Sequence, residues 1–196
     1  MNWLNTTERY GSVSIALHWV MLALLVAVYA CINLSEAFPK GSELREALKA
    51  WHYTLGLSVF ALVWLRLAAR LAGRAPRTQP EAPRWQRAAA TLVHVALYVL
   101  MISLPLVGWL ILSARGRPIP FFGLQLPALV GESRALGKLF KEIHEVGGNA
   151  GYFLVGAHAA AALFHHYVVR DDTLRRMLPG RVGSGRISAG SGPIHR

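Results

Sequence analysis

The chain has 196 residues, a length typical of one domain, and 54% of them are hydrophobic while only 16% are charged. A charged fraction well below the roughly 25% of soluble domains excludes a disordered chain and argues against an ordinary cytosolic enzyme. Its one cysteine, Cys31, excludes an internal disulfide, a four-cysteine zinc site and a cysteine-ligated iron–sulfur cluster. The formal net charge is +11, and the positions of the basic residues decide whether it indicates nucleic-acid binding or membrane topology.

Four runs without a charged residue follow one another along the chain, at residues 11–35, 50–65, 88–114 and 146–169. A membrane-spanning helix needs about 20 apolar residues, and a lipid-exposed backbone must satisfy its own hydrogen bonds, so these runs predict helices. The second run is short, but Arg66 and Arg70 can snorkel and extend it. The sequence therefore predicts an all-α, integral membrane four-helix bundle over residues 1–181, with spans near residues 11–35, 48–71, 88–114 and 142–169.

Two segments outside the spans have a distinctive composition. Residues 117–127 are rich in proline and aromatic residues, so we expect them to be ordered and to lie on the membrane surface. Residues 182–196 are rich in glycine and serine, and we expect a flexible C-terminal tail there.

The basic residues lie mainly on one side of the predicted bundle. Residues 70–87 carry five arginines against one glutamate, and the chain after Val169 carries six arginines against two aspartates. On the other side, residues 33–49 are neutral and residues 113–145 have a net charge of +2. The positive-inside rule then places both termini in the cytoplasm. The arginines on that side can also contact anionic lipid headgroups of the bilayer. Because topology accounts for the charge and no base-reading elements are present, we expect no nucleic-acid binding.

Two histidines of the fourth span lie on one face of the helix. His144 and His158 are fourteen residues apart, which is about 40° short of four full turns and about 21 Å along the axis. That distance is too long for one metal ion, but it suits two stacked planar cofactors, one near each membrane face. Each would need a second axial ligand at matching depth from another helix.

Depth along the spans suggests the partners of these two histidines. His52 matches the depth of His144, and either His18 or His94 matches His158; depth alone does not choose between them. Two histidines on one haem iron fill both axial positions and favour electron transfer, whereas zinc would need three or four ligands in one place. A single intramembrane histidine can also simply hydrogen-bond a neighbouring helix.

Small residues accompany these histidines, at positions 56, 147, 148 and 151, all of which are glycine. A porphyrin could press on the backbone at these positions. Helix–helix packing explains such glycines equally well.

Three motifs carry a resemblance to a known family: SIALHW at residues 14–19, WHYTLG at 51–56, and KEIHE at 141–145 followed by Gly148, Asn149 and LFHHYVVRDDTL at 163–174. Over roughly residues 8–180 the chain resembles the bacterial cytochrome b561 family of small di-haem, quinone-linked cytochromes. The resemblance implies two b-type haems whose irons are held by His18 with His158 and by His52 with His144. It also implies the bacterial inner membrane.

A close branch of this family acts as a superoxide oxidase, which passes electrons from superoxide to ubiquinone, and the resemblance makes this the expected activity. The alternative is an electron-relay subunit that anchors a periplasmic dehydrogenase or hydrogenase. Residues that could steer superoxide are Arg115, Arg117, Arg134, Lys138 and Lys141. Three glutamates offset part of that charge, so a plain solvated rim remains the alternative.

Further histidines extend the expected site towards the cytoplasm. Residues expected near a quinone or beside the ligands are Trp19, Arg66, His94 and His165. His94 could instead make an interhelical hydrogen bond, and His165 could instead complement the helix dipole.

Overall fold

A computed structural model describes Trp3, Asn5, residues 10–73 and residues 83–178. The expected tail at 182–196 and residues 74–82 of the arginine-rich 70–87 loop lie outside the described residues. In chain order the elements are helices α1 (Ser12–Glu36), α2 (Glu43–Leu71) and α3 (Arg84–Ala114), strands β1 (Pro120–Phe121) and β2 (Leu124–Gln125), helix α4 (Arg134–Phe164), a π-helical turn (His165–Val169) and a 3₁₀ turn (Arg175–Met177).

Within the described residues, four helices are long and apolar enough to cross a membrane, the last of them continuing through the π-helical turn to Val169. The predicted all-α four-helix architecture is confirmed. Helices α2 and α4 begin at Glu43 and Arg134, before their uncharged runs, because charged residues can continue a helix beyond its apolar stretch. At α4 the Ser133 hydroxyl accepts a hydrogen bond from the Leu136 N–H and so satisfies one free donor of the first turn.

The interior of the bundle is small. Helix α1 packs mainly on α2, α3 packs on α4, and α2 also contacts α3. The central core consists of Met21, Val59, Val63 and Met101. Most other large apolar side chains on the helices are partly or fully exposed, as expected for helices whose outer faces contact lipid.

One end of the bundle, called here the hairpin end, contains the α1–α2 connection and the β1–β2 hairpin. The turn residues Phe122 and Gly123 both have positive φ (48° and 82°), the geometry of a two-residue hairpin turn. Ile119, just before β1, is buried against Leu57 and Leu112, so the hairpin is docked on the bundle. The 117–127 segment is ordered through this short sheet.

The opposite end, called here the strap end, is crossed by residues 171–178, which we call the strap. Arg170 turns the chain through a left-handed conformation (φ 58°) directly after the π-helical turn. The strap then runs back towards α1, where the Trp19 indole N–H donates a 2.7 Å hydrogen bond to the carbonyl of Met177. The strap therefore ties the end of the fourth span to the beginning of the first.

Candidate functional site

At the hairpin end, two histidine rings from different helices face each other. The rings of His52 on α2 and His144 on α4 have centroids 6.1 Å apart. Nδ1 of His52 lies 3.0 Å from the carbonyl of Val28, and Nδ1 of His144 lies 3.0 Å from the carbonyl of Leu104. Because a carbonyl can only accept, both Nδ1 atoms carry the proton. The lone pair of each ring is therefore on Nε2, the arrangement typical of metal-ligating histidines.

A cavity of about 540 Å³ surrounds this pair. Its size falls in the range of ordinary cofactor and ligand sites. Helices α1, α2, α3 and α4 all contribute to its wall, which is mostly apolar. The exposed side chains of Arg115 and Arg117 also line it, so the cavity reaches the surface at the hairpin end.

The glycines near the histidines divide into two kinds. Gly56 and Gly148 line the cavity, and a Cβ atom at either position would meet nothing within 4 Å. At Gly147 a Cβ would collide with Leu104, and at Gly151 it would collide with the hydroxyl of Tyr29. Gly56 and Gly148 therefore leave free space beside the histidines, whereas Gly147 and Gly151 allow the helices to pack closely.

Sequence reasoning missed a polar aromatic network beside this cavity. The Tyr29 hydroxyl donates a 2.8 Å hydrogen bond to the carbonyl of Gly148, and its ring lies 4.3 Å from that of Tyr152. The Asn33 amide in turn donates to the Tyr152 hydroxyl. Polar residues recurring in an apolar run were the available signal, because buried polar groups in a membrane need partners.

At the strap end, three histidines meet. The rings of His18 on α1 and His158 on α4 have centroids 6.3 Å apart, and the His94 ring on α3 lies 5.4 Å from that of His158. His18 and His94, which depth along the spans could not separate as partners of His158, therefore both lie beside it.

Arg66, for which the sequence allowed either snorkelling to the membrane surface or a place beside the ligand histidines, points inward. Its Nη2 lies 2.9 Å from Nδ1 of His18, and its Nη1 is buried without a hydrogen-bond partner among the described residues. A buried guanidinium nitrogen without an acceptor is costly in a membrane and indicates an anionic partner. Arg70, by contrast, lies over the ring of Tyr98 on α3.

The basic residues of the 113–145 segment differ in their surroundings. Lys141 forms an ion pair with Glu145, and Lys138 lies 3.9 Å from Glu142. Arg115 and Arg117 form no ion pair within the described parts of the chain, and both line the cavity. Arg134 begins α4 and does not line the cavity. The structure therefore distinguishes two arginines at the cavity mouth from the other basic residues.

His165, at the strap end, is paired with a carboxylate. Its Nδ1 lies 2.6 Å from Oδ2 of Asp171, whose side chain is only 3% exposed. Burial raises the pKa of Asp171, but hydrogen bonds from the Thr173 N–H and from His165 outweigh it and hold the pKa below its usual range. Sequence reasoning counted Asp171 only as a charge.

Four apolar helices that enclose two separate histidine pairs define a class of protein, the multi-pass membrane cytochromes of the b type. Within residues 10–73 and 83–178 no group of three or more histidine, cysteine or acidic side chains is arranged to hold a metal ion, although three histidines lie near one another at the strap end. Residues 9–180 match the family model described as prokaryotic cytochrome b561, and the chain belongs to that family. It is a bacterial multi-pass membrane protein that carries haem b and transfers electrons.

Individual relatives agree with this family. The chain is 39% identical over 174 residues to "Cytochrome b561 homolog 1" of Escherichia coli, covering 89% of this chain and 99% of the relative. It is 32% identical over 176 residues to "Probable superoxide oxidase CybB" of Yersinia pestis, covering 90% and 99% respectively. A 31% identity extends over 186 residues of "Cytochrome b561 homolog 2" of Escherichia coli, covering 91% and 95%.

Proposed function

We propose that the protein binds two b haems, one between His52 and His144 and one between His18 and His158. A metal–imidazole bond is about 2 Å long and the ring centroid lies about 1 Å behind the nitrogen, so two imidazoles on one metal ion have centroids about 6 Å apart. The observed 6.1 Å and 6.3 Å fit that separation. The open backbone at Gly56 and Gly148 offers room for a flat ring.

The strap-end pair fits a haem for a second reason. The buried Nη1 of Arg66 needs an anionic acceptor, and the porphyrin of haem b carries two carboxylates. If Nε2 of His18 ligates iron, Nδ1 of His18 carries the proton and Arg66 must donate elsewhere. We therefore assign Arg66 to a haem carboxylate and His94 to a supporting position beside His158.

The chain's own side chains set the conditions for electron transfer. Haem b supplies an iron that alternates between the ferric and ferrous states and so carries one electron. The carbonyls of Val28 and Leu104 fix the ring orientation of His52 and His144 and direct Nε2 of each into the cavity. A haem held by two histidines would have no iron ligand position left for oxygen, which would favour electron transfer over oxygen activation.

We propose that the electron donor is superoxide and that the protein is a superoxide oxidase. The single observation that carries this proposal is the cavity around His52 and His144, whose mouth is lined by Arg115 and Arg117, neither of which forms an ion pair within the described residues. Such a mouth attracts a small anion to the histidine pair. Lys141 also lines the cavity but is paired with Glu145, Lys138 lies beside Glu142, and Arg134 adds only to the wider basic rim. The Yersinia pestis relative named as a probable superoxide oxidase supports the same activity.

The electron acceptor in this proposal is ubiquinone, bound at the strap end near Trp19 and His165. Two superoxide ions each lose one electron and leave as oxygen, and two electrons with two protons convert ubiquinone to ubiquinol. The excess of arginines at the strap end favours a cytoplasmic location for that end and for both termini. The protons would then come from the cytoplasm.

The second candidate function is an electron relay between a periplasmic dehydrogenase or hydrogenase and the quinone pool. The exposed hairpin favours it, because Phe122 and Leu124 are 65% and 64% exposed and offer a partner an apolar contact beside the cavity. In this case a partner protein, rather than superoxide, would deliver electrons at the hairpin end.

Stopped-flow absorbance in the haem α band separates the two candidates. The oxidised, purified protein is mixed with superoxide, with and without superoxide dismutase, and ubiquinone is then added. Rapid reduction that dismutase abolishes, followed by reoxidation by ubiquinone, supports the superoxide oxidase. A protein that superoxide leaves oxidised but ubiquinol reduces would instead favour the relay subunit.

A further inference from the structure

The carboxylate of Asp171 has a separate partner for each of its oxygens. Oδ1 accepts a 2.9 Å hydrogen bond from the Thr173 N–H, and Oδ2 lies 2.6 Å from Nδ1 of His165. The first contact is a local turn within the strap, whereas the second reaches back to the membrane span. Asp171 is thus both a turn residue and the partner of a histidine.

The pairing fixes how His165 carries its protons. A carboxylate only accepts hydrogen bonds, so Nδ1 of His165 is protonated and Nε2 is the nitrogen available for exchange. Within the described residues Nε2 has no hydrogen-bond partner, and the side chain is 23% exposed. Water can therefore reach the ring while Asp171 itself stays buried.

The backbone around this pair departs from a regular helix. The span ends in a π-helical turn at His165–Val169, and Arg170 has a left-handed conformation that glycine would adopt more easily. The Asp171 N–H then donates back to the carbonyl of His165 at 3.1 Å. Single π-helical turns are concentrated at functional sites, and strained residues persist where the surroundings impose them.

We propose that Asp171 is a positioning residue that holds His165 as the proton donor to the quinone. This inference rests on the proposed quinone reduction at the strap end. His165, held through Nδ1 by Asp171, takes a proton from water on Nε2, gives that proton to a quinone oxygen and keeps the proton on Nδ1. Water on the strap side returns the proton, and a second transfer completes the two protons of the quinol.

The variant Asp171→Asn separates positioning from turn formation. Asparagine keeps an oxygen for the Thr173 N–H and forms the same kind of turn. Its amide nitrogen would face Nδ1 of His165, which must then accept, so the proton moves to Nε2 of a neutral ring that is a poor acid. Asp172→Asn is the matched control, because Asp172 is the adjacent carboxylate and its Oδ2 contacts Arg176 rather than His165.

The first measurement is reoxidation of the pre-reduced protein by decyl-ubiquinone, followed by haem absorbance. We expect Asp171→Asn to slow reoxidation about 10- to 100-fold, as loss of a residue that orients a catalytic group does, while reduction by dithionite and haem content are unchanged. Asp172→Asn should reoxidise at the wild-type rate. Equal slowing in both variants would overturn the inference in favour of a structural role for the strap.

A double-mutant cycle tests whether Asp171 acts through His165. His165→Asn should slow reoxidation at least as much as Asp171→Asn, and the double variant should be no slower than His165→Asn. Additive losses would contradict the inference.

Nitrogen NMR of ¹⁵N-histidine-labelled protein reads the pairing independently of electron transfer. We expect Nδ1 of His165 to be protonated in the wild type and unprotonated in Asp171→Asn. If decyl-ubiquinone does not reoxidise the wild type, the proposed function fails, while the NMR result still decides whether Asp171 sets the tautomer. An unchanged tautomer together with an unchanged rate would overturn the inference itself.

Discussion

The two histidine pairs have similar separations but different surroundings. At the hairpin end, main-chain carbonyls hold Nδ1 of both His52 and His144, and the cavity reaches the surface between exposed arginines. At the strap end, His18 faces the guanidinium of Arg66, and the strap is hydrogen-bonded to Trp19, the residue after His18. Carbonyl partners make a ligand ring more electron-donating, whereas a buried cation favours the reduced metal. Under the proposed function, this comparison predicts that electrons pass from the hairpin end to the strap end.

The largest expected effect is loss of one haem by removal of one ligand. We expect His52→Ala or His144→Ala to halve the ratio of haem to protein and to abolish reduction by superoxide, while the strap-end haem remains. His18→Ala or His158→Ala should remove the other haem. Haem content is measured from the pyridine haemochrome spectrum.

The control for this experiment is His94→Ala, which should retain both haems, because His94 is assigned a supporting position. Loss of both haems, or of neither, in the ligand variants would contradict the pairing. Loss of the strap-end haem in His94→Ala and not in His18→Ala would show that His94 is the ligand.

Substitutions at the cavity mouth test the electrostatic attraction of superoxide to the hairpin end without changing the strap end. Replacing Arg115 and Arg117 together by glutamine should lower the second-order rate of reduction by superoxide about tenfold at low ionic strength and flatten its salt dependence. Lys138→Gln is the matched control, because its ammonium group already has Glu142 as a partner. A rate that is insensitive to salt in the wild type would refute steering.

The variant Arg66→Met tests whether this guanidinium raises the midpoint potential of the strap-end haem. Potentiometric titration should show a higher midpoint potential for the strap-end haem than for the hairpin-end haem. Arg66→Met should lower the strap-end value by about 60 mV, which corresponds to a tenfold change for one electron. Arg45→Gln, at the opposite end of α2, should leave both potentials unchanged. A lower midpoint potential for the strap-end haem than for the hairpin-end haem would contradict the predicted direction of electron transfer.

The smallest expected effect concerns acid stability of the strap. The pKa of Asp171 is held below its ordinary value of 3.8, so its contribution is present above pH 4 and is lost as the pH falls through the lowered value. We expect a loss of about 1.5–3 kcal/mol, the usual contribution of a hydrogen bond to a charged group. Trp19 donates a hydrogen bond to the strap, so its fluorescence should change when the strap is released. Subtracting the emission of the Trp19→Phe variant from that of the wild type isolates the Trp19 signal. Asp171→Asn should show no such acid transition, because its side chain does not titrate.

Much of the architecture could be predicted because it depends on local composition and helical period. Uncharged runs of sufficient length predict four membrane helices, and a separation of fourteen residues places His144 and His158 on one face. The resemblance then selected His18 over His94, although depth left both open. That assignment, together with the steering and quinone residues, remains a prediction.

Other features of the site could not be predicted from the sequence. The sequence left Arg66 open between the membrane surface and a place beside the ligand histidines, and only the packing of α1 against α2 brings its Nη2 to 2.9 Å from Nδ1 of His18. The roles of the glycines also depend on neighbours, because Gly151 faces Tyr29 while Gly56 faces open space.

The number of helices, their membrane character and the faces that carry the histidines follow from the sequence, because hydrophobicity and helical period act within one segment. Which atoms contact the histidine rings depends on tertiary structure: main-chain carbonyls at one end, and Arg66 and Asp171 at the other. Hydrogen bonds and ion pairs form over about 3 Å, so they depend on how separate helices pack and how the chain turns after the last span. Local sequence patterns do not carry that information.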